Sequence, residues 1–125
     1  MTTPLEAMDR LDALAQELDL RSTQLAGTER ELEPVEREYH AFVDAFEVGL
    51  WTRHENGDLS KLPSEALRLK LARRDMPPEL LGRFEGLMAS RRRLEKRIGS
   101  LKVQVDAQRS ILSGLKYVLD AERSV

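Results

Sequence analysis

An unbroken heptad repeat in the second half of the chain constrains the possible folds more than any other feature of this sequence. Twelve positions follow one another there in alternating steps of four and three residues, and ten of them are apolar. They are Leu80, Phe84, Leu87, Arg91, Leu94, Ile98, Leu101, Val105, Gln108, Leu112, Leu115 and Leu119. Because a 3.5-residue apolar period keeps one stripe of a helix against a partner helix, the pattern is typical of a coiled coil. We therefore expect one long helix here.

The first half of the chain carries the same period with two interruptions. Apolar side chains recur every seven residues at Leu11, Leu18, Leu25, Leu32, Tyr39 and Phe46. Thr3, Pro4 and Glu6 have the order of a capping box with proline in the first turn, which predicts where the helix begins. Pro34 costs about 3 kcal/mol inside a helix and usually kinks it, yet the apolar stripe stays in phase beyond it. We prefer one kinked helix, and the alternative is a break at Gly27.

The region between the two stripes has the composition of a turn followed by a short helix. Asn56-Gly57-Asp58 favours a tight turn, because asparagine and glycine accept positive φ. Pro63-Ser64-Glu65 predicts a helix start. The helix that follows is expected to end at Arg74, with Leu67 and Leu71 on one face.

These elements predict an all-α fold, a long antiparallel coiled-coil hairpin with a short helix at its tip. The expected segments of this single domain, residues 1–125, are a long helix over about 4–50, the tip over 51–77 and a long helix over 78–123.

A simple register follows if the chain folds back near residue 65. Facing positions then have residue numbers that sum to about 130. Phe46 meets Phe84 in this register, and Gln108 falls opposite Ser22. Polar stripe residues that face one another would fix the register at some cost in stability.

Composition excludes several classes of function. The chain of 125 residues is 34% charged and has no cysteine, so disulfides, thiolate catalysis and cysteine-ligated zinc are excluded. No signal peptide pattern and no apolar run of about 18 residues is present, and we expect a cytoplasmic protein without a membrane partner. A two-helix rod also has no concave apolar pocket, and no catalytic or metal-binding motif appears. We expect no enzyme activity, no cofactor, no metal and no small-molecule substrate.

Charge is distributed unevenly along a chain whose formal net charge is only −2. Residues 1–50 carry 4 basic and 12 acidic side chains, whereas residues 51–97 carry 12 basic and 7 acidic. The densest basic run, 91–97, contains the candidate nucleic-acid contacts Arg92, Arg93, Lys96 and Arg97. The favoured interpretation is that this run forms ion pairs with Glu29, Glu31, Glu33, Glu36 and Glu38 of the first helix. Contact with phosphates is the alternative.

The tip concentrates basic residues around the only tryptophan. The predicted partner-binding residues are Trp51, Arg53, His54, Lys61, Arg68, Lys70, Arg73 and Arg74. Cations interleaved with an aromatic ring suit an acidic protein surface or a nucleic-acid backbone with a stacked base. For Trp51 we favour a packed position under the short helix, against Leu67, Leu71 and Leu81. For the basic residues, binding and simple solvation are equally good interpretations.

The open end of the hairpin is predicted to self-associate. Its candidate contact residues are Leu5, Met8, Leu11, Ile111, Leu115 and Val118. Nothing else in the chain is available to cover them, and exposed apolar patches usually mark contacts. We expect a homodimer with four helices bundled at that end.

The leading functional hypothesis is a non-enzymatic interaction protein that presents its basic tip to an unidentified protein partner. Adaptors, inhibitors and assembly factors are the natural roles, and 15 arginines against 5 lysines indicate a GC-rich bacterial or phage genome. The alternative is a nucleic-acid-binding accessory factor that contacts the phosphate backbone through the tip. A structural subunit of a larger assembly is the third possibility.

Overall fold

The computed structural model describes residues 3–123, and these residues form three α-helices and no strand. The helices are α1 (Pro4–Glu55), α2 (Glu65–Asp75) and α3 (Pro78–Arg123). The predicted all-α fold is therefore confirmed. α1 continues past the expected end near residue 50, whereas α3 begins at Pro78 and runs to Arg123, the last described residue.

Local signals in the sequence fix the ends of the helices. The Glu6 amide donates to Thr3 Oγ1 at 3.1 Å, and the Thr3 amide donates to Glu6 Oε2 at 3.4 Å, as in a capping box. Ser64 Oγ accepts from the Leu67 amide at 3.3 Å and caps α2. Gly57 has a φ of +83°, which only glycine adopts without strain. The predicted helix starts and the predicted turn are confirmed.

α1 is one helix of 52 residues with Pro34 inside it. The alternative of a break at Gly27 is wrong, because both residues lie within the continuous helix. Proline lacks the amide hydrogen that would donate to the carbonyl of Arg30, so α1 is missing one backbone hydrogen bond at this point.

The chain divides into two compact units, each of which combines segments of the long helices. Unit 1 comprises Met1–Gly27 and Arg91–Val125, of which residues 3–27 and 91–123 are described, and unit 2 comprises Thr28–Ser90.

Unit 2 packs segments of all three helices around an aromatic pair. The rings of Tyr39 and Phe84 are stacked, with centroids 3.9 Å apart and planes 9° apart. The other buried members of this cluster are Leu32, Val35 and Met76. Partly buried apolar side chains that surround it are Phe42, Val43, Leu80, Leu81, Leu87 and Met88.

The buried face of α2 differs from the predicted one. Ala72 and Met76 are buried, whereas Leu67 is exposed. The side chain of Arg68 is also largely covered. The face that meets the rest of unit 2 therefore follows the i, i+4 row that begins at Arg68.

The register in unit 2 is not the predicted one, because Phe84 stacks on Tyr39, one heptad before Phe46. The cause is the path of α2, which runs back along α1: Arg68 contacts Glu47 and Arg73 contacts Tyr39. The connection is therefore not a symmetrical loop, and α3 begins beside Phe42 and not beside Leu50.

Unit 1 contains segments of α1 and α3 and has a smaller core. Leu14, Leu101 and Val105 are its buried cluster, with Leu11 and Leu18 packed against them. Leu11, Leu18, Leu101 and Val105 are heptad positions named above, so positions from both stripes contribute to this core.

The register in unit 1 also differs from the predicted one. Arg97 bonds to Glu17, whereas numbers that sum to about 130 would place it opposite Glu33. Gln108 does not face Ser22 either, because its neighbour Val105 packs near Leu14. The amide oxygen of Gln108 is buried and accepts no hydrogen bond from the described residues.

Candidate functional site

The tip, residues 51–77, begins with a hydrogen-bonded turn that ends α1. The Gly57 amide donates to the His54 carbonyl at 3.1 Å, and the Asp58 amide donates to the Arg53 carbonyl at 2.9 Å. Nδ1 of His54 lies 3.0 Å from the Leu59 carbonyl oxygen. Since a carbonyl oxygen only accepts, Nδ1 carries the hydrogen in this bond. His54 was predicted to bind a partner; in the structure its ring stabilises the turn through this hydrogen bond.

Arg68 holds α2 against α1. Its Nε donates to Glu47 Oε1 at 3.0 Å and its Nη1 donates to the Pro63 carbonyl at 2.8 Å. Only 16% of the side chain is exposed. An arginine that is covered and bonded in this way positions the short helix and has little surface left for a partner.

Arg73 fastens the other end of α2. Its Nε donates to the hydroxyl of Tyr39 at 3.0 Å, and its guanidinium carbon lies 5.8 Å from the centre of the same ring. Nη2 is also 3.9 Å from Glu85 of α3. Arg73 therefore links all three helices of unit 2 through the buried tyrosine.

The other four cations of the tip are exposed to solvent. They are Arg53, Lys61, Lys70 and Arg74. Arg74 Nε lies 3.6 Å from the carboxylate of its neighbour Asp75. The predicted basic set thus divides into two arginines with structural contacts and four cations on the surface.

Trp51 lies on the surface of the tip, with 47% of the residue exposed. Its ring meets that of His54 edge-on, with centroids 6.5 Å apart. The predicted burial under the short helix is wrong, because α1 continues through this position and buries Leu50 in its place. Successive helical residues point about 100° apart, so Trp51 is turned toward solvent.

The arginine run of α3 is engaged in part by acids. Arg97 donates to Glu17 Oε1 from Nε at 3.0 Å and from Nη2 at 2.7 Å. Arg91 Nε lies 3.7 Å from Glu95 on the same helix. Arg97 therefore forms an ion pair with the first helix, but its partner is Glu17 and not one of the five glutamates predicted. Exposed cations of the run include Arg92, Arg93 and Lys96.

The apolar end of unit 1, defined by the six residues predicted to self-associate, is largely uncovered. Exposed members are Leu5, Met8, Ile111 and Val118, and partly buried ones are Leu11 and Leu115. Two further exposed side chains, Tyr117 and Leu119, lie beside them in the sequence. The exposure of Leu119 was not predicted, because as a stripe position it was expected to face a partner helix.

The register explains why this end is uncovered. Leu14 packs against Leu101 and Val105, and α1 begins at Pro4. At about 1.5 Å per residue, the start of α1 lies level with roughly residues 111–115 of α3. The last turns of α3 therefore extend past the start of α1.

A groove in unit 2 was not foreseen from the sequence. It has a volume of about 530 Å³ and lies between the last turns of α1 and the end of α2. Its lining consists of Phe46, Gly49, Leu50, Thr52, Arg53, Leu71, Arg74 and Asp75. We call it the tip groove. Gly49 between Phe46 and Leu50 was the available signal, since a glycine on an apolar helix face leaves a gap.

No group of three potential metal ligands occurs among residues 3–123. None of the described helices has the length and apolarity needed to cross a membrane. No protein-family model matches this chain, and neither a curated protein nor a solved structure is significantly similar to it.

Proposed function

We propose that this chain is a non-enzymatic coiled-coil interaction protein that presents its tip to a partner protein. In this proposal the heptad stripes of α1 and α3 pair as an antiparallel hairpin. An adaptor, an inhibitor or an assembly factor would use such a scaffold in this way.

The exposed position of Trp51 carries the proposal. A tryptophan with 47% of its surface exposed loses part of the stabilisation that full burial would provide, and tryptophan and arginine dominate the binding energy of protein interfaces. Arg53 is an exposed neighbour on the same end of α1. The surface around Trp51 therefore has the composition of an interface centre.

The test is a binding measurement with matched surface variants. A protein captured from host-cell extract by the wild type is identified, purified and titrated by calorimetry against Trp51→Ala and against Leu20→Ala. Leu20 is an exposed apolar residue of α1 in unit 1, so it controls for general loss of apolar surface. We expect the Trp51 variant to bind at least about tenfold more weakly and the Leu20 variant to bind unchanged. Equal binding by both variants would contradict the proposal.

Charge variants must avoid the structural arginines. Arg68 and Arg73 are bonded to Glu47 and Tyr39, so replacing them would damage the fold and a binding surface together. Arg53→Glu is the informative variant, because no carboxylate among the described residues is within ion-pair distance of it. Arg92→Glu, an exposed arginine of unit 1, is its matched control.

Nucleic-acid binding is the alternative that the same residues support, because an exposed tryptophan beside cations also stacks on bases. The two structural arginines leave fewer cations free for phosphates than the sequence indicated. A gel-shift series with single-stranded DNA, single-stranded RNA and duplex DNA across salt separates the classes. Binding that weakens steeply with salt and is lost in Trp51→Ala would favour this alternative.

We also propose that two copies associate through the apolar end. The support is that Leu5 and Val118 are 68% and 53% exposed where α3 extends past the start of α1. A second copy would bury these side chains, and burial stabilises the complex by roughly 25 cal/mol per Å² of apolar surface.

The oligomeric state tests this proposal directly. By light scattering after size-exclusion chromatography, we expect a dimer at micromolar concentration and a monomer for Val118→Glu. Val103→Glu is the matched control, since Val103 is an exposed valine of α3 at the heptad position farthest from the stripe. A monomeric wild type, or a dimer that survives Val118→Glu, would refute association through this end.

A further inference from the structure

We propose that the tip groove binds an amphipathic helix of a partner protein, one that inserts an apolar side chain over Gly49 and carries carboxylates beside it. This inference rests on the proposed role of the tip in binding a protein. It adds a second contact surface to Trp51 and states the chemistry of the segment that would occupy it.

The floor of the groove is apolar and incompletely filled. Phe46 and Leu50 of α1 and Leu71 of α2 line it. Gly49, an exposed residue about one turn from Phe46, also lines the groove, and a Cβ atom built on it would meet no atom within 4 Å. The missing side chain therefore leaves space for one supplied from outside.

The groove is long enough for two turns of a helix to lie along it. Its α1 wall spans Phe46 to Arg53, which is about 12 Å at 1.5 Å per residue. This length matches two turns of a helix, whose apolar anchors recur at i, i+3 and i+4. A helix laid along the wall would place one or two anchors on the floor.

The positive charge at the edge of the groove favours a bound helix with carboxylates beside its apolar anchor. Arg53 and Arg74 line the groove on its α1 and α2 sides. Asp75 lies 3.6 Å from Arg74 and offsets its charge, whereas no carboxylate among residues 3–123 is paired with Arg53. A carboxylate within one turn of the apolar anchor would complement Arg53, and we expect Arg53 to contribute more than Arg74.

A displayed library of helical 16-residue peptides tests the inference directly, because the selection requires no identified partner protein. Peptides selected on the wild-type chain are expected to carry a leucine, isoleucine, phenylalanine or methionine with an aspartate or glutamate within one turn. Enrichment of basic peptides, of peptides without an apolar anchor, or of no peptide at all would overturn it.

Gly49 provides the decisive variants. Fluorescence anisotropy with a selected peptide should show binding at least about tenfold weaker to Gly49→Trp, which fills the groove, and unchanged binding to Gly99→Trp, the same substitution at an exposed glycine of unit 1. A Cβ atom built on either glycine meets no atom within 4 Å, and a thermal melt by circular dichroism verifies that each variant is folded. Equal binding to Gly49→Trp and the wild type would refute the groove as the site.

Trp51→Ala distinguishes failure of this inference from failure of the proposed function. If selected peptides bind Gly49→Trp normally but lose binding to Trp51→Ala, the tip binds protein through another surface and only the groove assignment fails. If no peptide is selected and the chain binds nucleic acid in a salt-sensitive manner, both proposals fail.

Discussion

The two units are built from the same two long helices, yet they bury their apolar residues in different ways. Unit 2 includes α2 and encloses a five-residue cluster with a stacked aromatic pair, Tyr39 and Phe84. Unit 1 has only segments of α1 and α3, and its buried cluster contains three aliphatic residues. Large apolar side chains such as Leu5 and Val118 remain exposed in unit 1.

The difference shows what a third helix contributes. Two helices in contact cover one stripe of each other, so any apolar residue beside the stripe stays in water. In unit 2 the short helix adds Ala72 to the interior and its C-cap residue adds Met76, and the larger aromatic rings are enclosed. Unit 1 has no such cover among its described residues, which is why we assign self-association to it and not to unit 2.

The largest expected effect is the loss of the aromatic pair in unit 2. Phe84→Ala removes the ring that stacks on Tyr39 and leaves a cavity, and we expect it to lower the free energy of unfolding by about 3–5 kcal/mol. Urea denaturation followed by circular dichroism measures the change. Phe84→Leu, which retains apolar volume but not the stack, should cost about 1–1.5 kcal/mol. A loss below about 1 kcal/mol for the alanine variant would mean that the cluster is not the core of unit 2.

The corresponding change in unit 1 is Leu101→Ala, at a fully buried position. We expect a loss of about 3 kcal/mol by the same measurement, because the smaller cluster has fewer neighbours around the cavity. Val103→Ala, two residues away and 69% exposed, should change stability by less than about 0.5 kcal/mol. If the two variants behave alike, α3 is not packed on α1 through its heptad stripe in this unit.

The elements of this fold were predictable because their signals are local. The capping box of Thr3 and Glu6, the positive φ of Gly57 and the cap of Ser64 each depend on a few consecutive residues. The heptad stripes likewise predicted the buried positions Leu32 and Leu101. Each of these features is set by the chain itself, whatever lies opposite it.

The register was not predictable because a heptad pattern repeats itself. Phe84 finds an aromatic partner at Tyr39 or at Phe46, so a shift of one heptad leaves the apolar pattern satisfied. The choice depends on the path of α2, which no local signal specifies. The contacts of Arg68 and Arg73 depend on the same path, and sequence reasoning therefore placed both arginines on the binding surface.

Pro34 interrupts the backbone hydrogen bonding of α1 in unit 2. Because the helix continues through it, Pro34→Ala restores one backbone hydrogen bond, and we expect a gain of about 1–3 kcal/mol in unfolding free energy. Arg37→Ala is the control on the same exposed stretch; it removes a solvent-exposed pair with Glu33 and should change stability by less than about 0.5 kcal/mol. No gain for the proline variant in urea denaturation would indicate that the surrounding contacts depend on a bend at this residue.

The smallest effects compare one helix-to-helix ion pair in each unit. In unit 1 the side chains of Arg97 and Glu17 are 45% and 31% exposed, whereas in unit 2 Arg68 is 16% exposed beside Glu47. Double-mutant cycles to alanine should give a coupling energy of about 0.2–1 kcal/mol for the exposed pair. The covered pair should give a larger value, because water screens it less. Repeating both cycles in about 1 M salt, where the Debye length is about 3 Å, should reduce the first coupling more than the second. Equal coupling energies with equal salt dependence would mean that packing of α2 does not protect the Arg68–Glu47 pair from screening by solvent. The units would then differ only in their apolar cores.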